Sequence, residues 1–508
     1  MLKIKEITKY FCRYKHGKTH WSVIEKKIFT KDRALENFDD FYGNVYGIRW
    51  KSMRIALLCK QKYIAMVNNF GEEEKVSNIL EEDGATNIRI LYDVTKRSMK
   101  DDSGRFYIDE NYANNAFNGE SKMENIVEKK RSQEIKQIYA DKDHASDVKF
   151  SNDDDEEDSD QESDEEKEEK IYNIEHKKAL ETSFREDIAI DHSRIIDPEF
   201  TQGALYEYVP ATKIKGLEDF VPESDHYRYY SNVADFPLKI EMETEFSIPQ
   251  NLQLYSYEMG NISDFRLPFK TITGVSSHFL MNGSSILPPL VLNIKPGDVI
   301  FDACSAPGGK SLLLLQTHMP KLLVANDLME SRANKVRKLM QQYIYDFKSS
   351  WKNHRCIIRE EDARITSEYA AYDKVMVDVP CTTDRHAVNE NDNNIFKPTR
   401  IKERLRLPEL QSTILSNCIR LLKPGGDLVY STCSLSPIQN DGVVHMALSN
   451  VFKEHGITVT IKDLSLVMRP FQSVFKFEHP RGLKYGQMVL PYLPANFGPM
   501  YFCKMTRN

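Results

Sequence analysis

Short apolar runs alternate with amphipathic stretches of helical length from residue 296 onward. The apolar runs predict strands, and the amphipathic stretches predict the helices between them. The predicted strands are Asp298–Ala303, Leu322–Asn326, Arg355–Arg359, Lys374–Val379 and Asp427–Thr432. The predicted helices cover 309–317, 330–345, 404–422 and 437–453, and the last strands are predicted near 457–463, 487–490 and 499–505. This alternation predicts an α/β fold with a doubly wound, Rossmann-like sheet, placed in a domain over 260–508.

The N-terminal part of the chain lacks this alternation. Helical periodicity runs through Ser52–Asn69, where four apolar residues share one helical face. These residues are Ile55, Leu58, Tyr63 and Val67. We therefore expect a small helical accessory region over 28–119. Residues 196–259 are rich in Tyr, Pro and Asp without a clear period, and we interpret them as a strand-containing lead-in to the α/β domain.

A strongly acidic run of residues lies between these two regions of the chain. The net charge of the 508 residues is −7, yet Ser151–Lys170 alone holds 13 acidic residues against 2 lysines. A run this dense in one sign repels itself and buries little apolar surface, so 120–195 is predicted to be a disordered acidic linker. Without the −11 of that run the chain would carry +4, which is compatible with a nucleic-acid partner.

The first 24 residues carry six basic side chains against the single acid Glu6. Ile4, Ile7 and Phe11 would fall on one face of a helix there. This pattern is typical of a mitochondrial presequence, so 1–27 is a candidate mitochondrial targeting segment. A basic, frayed terminus is the alternative, and the predominance of Lys over Arg favours it.

Two broad classes of protein are disfavoured by composition. The eight cysteines are scattered without a C-x-x-C pair, so we expect neither a bound metal nor a disulfide framework. No apolar run approaches the roughly 18 residues that a membrane span needs. We therefore expect a soluble protein that makes no membrane contact.

The turn Asp302–Lys310 follows the first predicted strand and contains Gly308 and Gly309. Two glycines let the backbone approach a ligand closely, and the following helix offers free N–H groups to a carboxylate or phosphate. The end of this turn resembles a phosphate-binding P-loop, but that motif requires a glycine where Cys304 stands. The spacing therefore excludes a P-loop nucleotide triphosphatase.

Two acids follow the next strands. Asp327 comes at the end of the second predicted strand, where a doubly wound fold binds ribose hydroxyls, and Asp362 follows the third, where it can receive an adenine amino group. Together with the glycine turn they fit S-adenosylmethionine or a dinucleotide equally well. Each acid alone could also be a solvated loop carboxylate.

Cysteines follow the fourth and fifth predicted strands, Cys381 close to Asp378 and Cys433 in the next turn. A lone cysteine at a strand end is usually a small buried hydrophobe, but two at neighbouring strand ends would face one crevice. Carbon 5 of cytosine is a poor nucleophile, so its methylation requires a thiolate to add first to carbon 6. Asp378 is placed to stabilise that adduct near ring nitrogen 3. Amino-group methyltransferases carry an aromatic residue where Cys381 stands, which argues against nitrogen methylation.

These turns resemble the Nop/Sun family of RNA 5-methylcytosine methyltransferases over about 260–508. The resemblance implies that Cys433 is the nucleophile, that Cys381 assists product release, and that S-adenosylmethionine is the cofactor. The cofactor residues that it implies are Gly308, Gly309, Lys310, Asp327, Arg332, Asp362, Ala363 and Asp378. Ser305 and Ala363 depart from the alanine and glycine that are usual in the family.

Four segments are similar to the branch of the family that acts on mitochondrial ribosomal RNA, namely Val377–His386, Asn394–Lys397, Tyr430–Asn440 and Asn496–Met505. This resemblance implies methylation of small-subunit rRNA in the mitochondrial matrix, with a linked role in mitoribosome assembly. It also implies a complex with a protein of the mitochondrial transcription termination factor family, which would supply RNA affinity. The alternatives are mitochondrial tRNA as the substrate and a mainly non-catalytic scaffold for ribosome assembly.

No RNA-binding module is recognisable in the sequence beside these turns. Lys397–Arg406 holds five basic residues against one acid and is the best local candidate for a phosphate contact. The solvated face of a helix start is the alternative interpretation.

Overall fold

The computed structural model describes residues 29–99, 127, 129, 130, 133, 234, 236–478 and 483–508. All described residues belong to one compact unit. The predicted targeting segment lies outside the described residues, and so does the predicted acidic linker apart from four positions between 127 and 133.

Residues 29–99 form a mixed region of helices and strands. The helices are α1 (Thr30–Tyr46), α2 (Arg49–Leu58), α3 (Glu73–Glu82) and α4 (Ile88–Ser98), and the strands are β1 (Tyr63–Val67) and β2 (Thr86–Asn87). The prediction of a helix throughout Ser52–Asn69 is therefore wrong beyond Leu58. Tyr63 and Val67 lie four residues apart, a spacing that shares a face in a strand as well as in a helix.

The remaining strands begin in the predicted lead-in segment and run to the C-terminus. They are β3 (Lys239–Met242), β4 (Leu254–Ser256), β5 (His278–Asn282), β6 (Val299–Asp302), β7 (Leu322–Asn326), β8 (Cys356–Arg359), β9 (Tyr372–Asp378), β10 (Leu422–Thr432), β11 (Val459–Asp463), β12 (Gln487–Val489) and β13 (Met500–Arg507). The five strands predicted from the apolar runs correspond to β6 to β10.

The helices that follow in the chain are α5 (Leu287–Val291), α6 (Gly309–Gln316), α7 (Glu330–Tyr343), α8 (Asp384–Asn389), α9 (Ile401–Leu405), α10 (Leu407–Leu421), α11 (Val443–His455) and α12 (Ser465–Met468). The helix predicted over 404–422 is interrupted at Arg406, and α10 begins with Leu407 and Pro408, a usual place for proline. In the described part of the chain, no helix is both long enough and apolar enough to cross a bilayer.

The main sheet has nine strands in the order β3-β11-β13-β10-β9-β6-β7-β8, with β12 paired to β13. Strands β8, β7, β6, β9 and β10 are parallel, and β13 runs antiparallel between β10 and β11. This topology confirms the predicted Rossmann-like α/β fold. The strand order reverses between β6 and β9, and such a reversal opens a crevice at the carboxyl ends of the strands.

A second sheet joins the N-terminal region to the rest of the chain. Its four strands lie in the order β2-β4-β1-β5, and all the pairs are antiparallel. Strand β1 therefore forms its hydrogen bonds with strands that lie about 190 to 220 residues later in the chain. The N-terminal region supplies β1 and β2 of this sheet, and residues 254–282 supply β4 and β5, so the sheet forms only when both segments are together.

Asn68 connects the end of β1 to two helices of the α/β domain through hydrogen bonds. Its buried amide donates to the backbone oxygens of Ser276 (2.7 Å) and Tyr343 (2.8 Å), and its side-chain oxygen accepts from Gln316 (2.8 Å). Gln316 ends α6 and Tyr343 ends α7. One side chain therefore links β1 to the C-terminal ends of two helices.

Replacing Asn68 with alanine should lower the free energy of unfolding by about 1 to 3 kcal/mol, because the buried partners lose their hydrogen bonds. Urea denaturation of the full chain measures this loss. Asn261→Ala is the matched control, since Asn261 is exposed and its side chain accepts a hydrogen bond from the backbone N–H of its near neighbour Ser263. Equal losses in the two variants would contradict the role given to Asn68.

Candidate active site

Three polar turns meet at the point where the strand order reverses. Residues 303–308 follow β6, residues 379–383 follow β9, and Cys433 and its neighbours follow β10. Since β6, β9 and β10 are parallel neighbours, these turns lie at the same edge of the sheet. The predicted site residues are therefore brought to one crevice from five successive strands.

The glycine turn after β6 is held by a close approach of backbone to helix. Gly308 has a φ of +108°, and a Cβ atom added there would stand 2.9 Å from Leu339 Cδ2 of α7. The next residue, Gly309, begins α6. Only glycine combines that backbone conformation with that contact, which explains its position in the turn.

Asp302, at the end of β6, is buried and accepts a hydrogen bond from the Ser311 hydroxyl. Burial raises the pKa of Asp302 to about 7. Its Oδ1 atom and the Oγ atom of Ser305 are buried without a hydrogen-bond partner among the described residues. These two polar atoms are therefore available to a ligand. An acceptor beside a glycine turn suits the ammonium and hydroxyl donors of S-adenosylmethionine.

Asp327 lies at the end of β7 with only 4% of its surface exposed. Its carboxylate accepts from the backbone N–H of Ala306 in the glycine turn (3.2 Å) and from Arg332 Nε (3.1 Å). Arg332 also donates to the backbone oxygen of Ala306 (3.3 Å). The acid and the arginine thus bind the second strand end to the glycine turn.

Asp362 follows β8 and forms an ion pair with Arg364, with 2.6 Å between nitrogen and oxygen. The hydrogen bond from Arg364 lowers the pKa of Asp362. Next to it Ala363 is buried, and its backbone oxygen accepts from Asn417 (2.9 Å). Arg364 therefore binds the carboxylate that we predicted to receive an adenine amino group.

Two apolar side chains beside these acids were missed by our reading of the sequence. Leu328 follows Asp327 and is 64% exposed, and Ile365 lies three residues after Asp362 and is 76% exposed. They follow the neighbouring strands β7 and β8, at the rim of the crevice. Apolar residues within three positions of the acids that follow β7 and β8 are the signal that could have indicated them.

Asp378 and Lys310 form the central ion pair of the site. Lys310 Nζ lies 2.7 Å from Asp378 Oδ2, and the Ser431 hydroxyl donates to Asp378 Oδ1 at 2.7 Å. Although burial opposes the charge of Lys310, attraction to Asp378 and the hydrogen bond to it raise the pKa of the ammonium group. The lysine therefore stays protonated and fixes the carboxylate at the strand end.

The two predicted cysteines converge. Their Sγ atoms lie 3.0 Å apart, and the backbone N–H of Cys433 donates to Cys381 Sγ at 3.4 Å. Both are free thiols and are half-buried. The hydrogen bond between the thiols lowers the pKa of Cys381 and, together with burial, raises that of Cys433. Two thiols this close titrate as a pair, so the first proton leaves readily and the second is retained.

Side chains that the sequence reading missed hold the two cysteine turns. Gln439 accepts from the backbone N–H of Thr382 (3.1 Å), and its backbone oxygen accepts from Tyr430 (2.6 Å). Asp384 lies fully buried between the turns and accepts hydrogen bonds from both of them. A local signal existed only for Asp384, because an acid at the start of a helix is favoured.

Two arginines of Lys397–Arg406, the segment predicted to contact phosphate, interact with other side chains of the protein. Arg400 pairs with Glu403 at 2.5 Å, and the Arg404 guanidinium lies 4.8 Å from the ring centre of Phe396.

Among the described residues, no group of three or more His, Cys, Asp or Glu side chains is arranged to hold a metal ion.

A Rossmann-like sheet with a glycine turn after its first central strand and acids after the next two defines a class of proteins that bind a nucleoside cofactor, either S-adenosylmethionine or a dinucleotide. The family model of the 16S rRNA methyltransferase RsmB/F matches residues 289–482 of the chain.

Comparison with known proteins gives similarity over almost the whole chain. The 5-cytosine rRNA methyltransferase nsun-4 of Caenorhabditis elegans is 31% identical over 492 residues, which cover 94% of this chain and 91% of that protein. The 5-cytosine rRNA methyltransferase NSUN4 of Xenopus tropicalis is 30% identical, with 98% and 95% covered. The mitochondrial tRNA (cytosine(34)-C(5))-methyltransferase of Danio rerio is 30% identical, with 56% and 71% covered.

The chain therefore belongs to the RsmB/F, or Nop/Sun, family, and it is an S-adenosylmethionine-dependent RNA cytosine-5 methyltransferase. The family resemblance and the cofactor predicted from the sequence are both confirmed.

Gly308→Ala should reduce S-adenosylmethionine affinity by more than about tenfold, because the added methyl group pushes the turn away from α7 and displaces the atoms that face the ligand. Isothermal titration calorimetry with S-adenosylmethionine measures this change. Gly297→Ala is the matched control: it also has a positive φ, of 93°, but its added Cβ meets nothing within 4 Å. If both variants bound the ligand as the unaltered protein does, the turn would not be the cofactor site.

Proposed function

We propose that the protein methylates carbon 5 of a cytosine in mitochondrial small-subunit rRNA through a covalent adduct on Cys433. The observation that carries the proposal is the pair of free thiols, 3.0 Å apart, at the ends of neighbouring strands. The carboxylate and ammonium of the Asp378–Lys310 pair act on the pKa of Cys433, and the carboxylate of Asp384 acts on that of Cys381. A buried structural cysteine has no need of either feature.

The residues divide the proposed reaction among them. The Cys433 thiolate forms a bond to carbon 6, and carbon 5 gains the electron density that it needs to take the methyl group. Asp378 stabilises the adduct near ring nitrogen 3. Cys381 then removes the proton from carbon 5, the electron pair of that C–H bond restores the ring double bond, and the bond between carbon 6 and Cys433 breaks. S-adenosylmethionine supplies the electrophilic methyl group when it is bound.

The charges around Cys433 act in both directions. Its hydrogen bond to Cys381, burial and the charges of Cys381 and Asp378 raise the pKa of Cys433, and the charge of Lys310 lowers it. The anion of the thiol pair is therefore favoured on Cys381, whose sulfur lies 3.0 Å from that of Cys433. The assignment of the nucleophile to Cys433 follows from the family resemblance.

The cofactor is proposed to lie along the ends of β6, β7 and β8. The side chains and backbone proposed to hold it are Gly308, Gly309, Lys310, Asp327, Arg332, Asp362, Ala363 and Asp378. Asp362 would exchange its bond to Arg364 for the adenine amino group, with Leu328 and Ile365 against the base.

The substrate proposal draws on the relatives named as rRNA methyltransferases, which align with almost the whole chain. The tRNA methyltransferase of Danio rerio aligns with 56% of it, so mitochondrial tRNA is the second candidate. The target cytosine must leave its stack to reach Cys433, at a cost of roughly a few kcal/mol that is smallest in a loop. The same resemblance supports a location in the mitochondrial matrix, a role in mitoribosome assembly and a partner of the mitochondrial transcription termination factor family.

Cys433→Ala should lower methylation of a small-subunit rRNA transcript by more than about a thousandfold, because the proposal assigns the bond to carbon 6 to Cys433 and only product release to Cys381. S-adenosylmethionine affinity should stay within about twofold, since the binding turn is unchanged. Bisulfite mapping of the transcript and calorimetry measure the two quantities. Cys59→Ala removes an exposed thiol outside the crevice and should retain activity.

Full methylation by the Cys433 variant would overturn the assignment of the nucleophile. A mitochondrial tRNA transcript in the same assay separates the two substrates. Methylation of the tRNA transcript alone would replace the rRNA proposal with the second candidate.

Cys381→Ala should accumulate the covalent enzyme–RNA adduct, because the step that removes the carbon-5 proton loses its base while the addition step remains. A band of reduced mobility on a denaturing gel, formed with labelled transcript and S-adenosylmethionine, measures the adduct. The double variant lacking both thiols is the control and should form none. Absence of the band from the single variant would count against the release role of Cys381.

A further inference from the structure

A single buried carboxylate joins the two segments that carry the cysteines. Asp384 accepts hydrogen bonds from the Thr382 hydroxyl (2.5 Å), the Ser434 hydroxyl (3.2 Å) and the backbone N–H of Leu435 (2.7 Å). Thr382 directly follows Cys381, and Ser434 directly follows Cys433. The position of one sulfur relative to the other therefore depends on this carboxylate.

The remaining donor to Asp384 comes from the N-terminal region. The hydroxyl of Tyr42, in α1, donates to Asp384 Oδ2 at 2.8 Å across 342 residues of sequence. Tyr42 is buried, and its ring is fixed between Phe38 (4.8 Å between ring centres) and Trp50 (5.4 Å). The phenol thus reaches the site from a rigid aromatic cluster of α1 and α2.

We propose that Tyr42 is a positioning residue for methyl transfer, which through Asp384 holds the sulfur atoms of Cys381 and Cys433 at their working separation. The inference rests on the roles proposed above for the two cysteines. The hydroxyl of Tyr42 is hydrogen-bonded to Asp384 and is not among the groups proposed to bind substrate or cofactor. Without its hydroxyl, a buried carboxylate loses one of its donors, and the two turns that it joins are free to separate.

The effect should fall on the chemical step. The cofactor turn, Asp327 and Asp362 follow β6, β7 and β8, and Asp378 is fixed by Lys310 and Ser431, whereas Asp384 holds the turns after β9 and β10. Loss of the Tyr42 hydroxyl should therefore lower kcat and leave binding of both substrates almost unchanged.

A second link keeps the same region folded when Tyr42 is changed. Arg385, the next residue of α8, donates to the backbone oxygens of Ala56 (2.9 Å) and Cys59 (3.0 Å) at the end of α2. It also donates to the backbone oxygen of Gly498 (2.9 Å) and to the side-chain oxygen of Asn496 (2.8 Å). The N-terminal region therefore remains attached to α8 in a Tyr42→Phe variant.

The test compares Tyr42→Phe with Tyr92→Phe in the full-length protein, with an rRNA transcript and S-adenosylmethionine as substrates. Tyr92 is also a buried tyrosine of the N-terminal region, but its hydroxyl donates to the backbone of Val467, in α12, at 3.3 Å. We expect Tyr42→Phe to lower kcat about tenfold with both KM values within about twofold, and Tyr92→Phe to keep its kcat. An unchanged kcat in Tyr42→Phe, or an equal loss in both variants, would overturn the proposal.

A double-mutant cycle with Asp384→Asn tests the route of the effect. If Tyr42 acts through Asp384, adding Tyr42→Phe to the Asp384→Asn variant should change kcat by less than about twofold. Multiplication of the two single effects would overturn the proposal. An unaltered protein that methylates no RNA under these conditions would contradict the proposed function instead, so the two failures are distinguishable.

Discussion

The carboxylate of Asp384 imposes the strictest constraint on this structure. Transferring a charge from water to a protein interior is costly unless hydrogen bonds replace the lost water. Burial raises the pKa of Asp384, while its bonds to Leu435, Thr382, Tyr42 and Ser434 work in the opposite direction. These donors belong to α1 and to the turns after β9 and β10. The fold must bring three distant segments together or leave a buried carboxylate with too few partners.

The neighbouring Arg385 is a largely buried positive charge, and it also needs hydrogen-bond partners from distant segments. Burial lowers the pKa of its guanidinium to about 10. Its donors are taken up by oxygens of α2 and of the segment 496–498. Two adjacent residues of α8 therefore draw the N-terminal helices and the C-terminal segment to the same place. Together with the pairing of β1 to β5, these bonds attach the N-terminal region to the α/β domain that carries the two cysteines.

Much of the α/β domain could be predicted because parallel strands are buried on both faces and appear as continuous apolar runs. The positions of Cys381 and Cys433 followed from the same rule, since residues after neighbouring parallel strands share an edge. Strand β1 could not be predicted, because residues four apart share a face in a helix and in a strand. Tyr42 could not be predicted either. Its partner lies 342 residues away, and no local pattern records such a contact.

The register of β9 and β10 explains why the thiols meet. Ser431 lies opposite Asp378, and the hydroxyl of one donates to the carboxylate of the other. Neighbouring strands lie about 4.8 Å apart, so two cysteines on them bring their sulfur atoms together only from the same face of the sheet. Cys433 stands two residues beyond Ser431, and Cys381 three beyond Asp378, with Pro380 turning the chain between. The extra residue after β9 turns the first thiol towards the second, and the bonds to Asp384 keep it there. The sheet brings the two cysteines to neighbouring strand ends, and the turns determine the distance between their sulfur atoms.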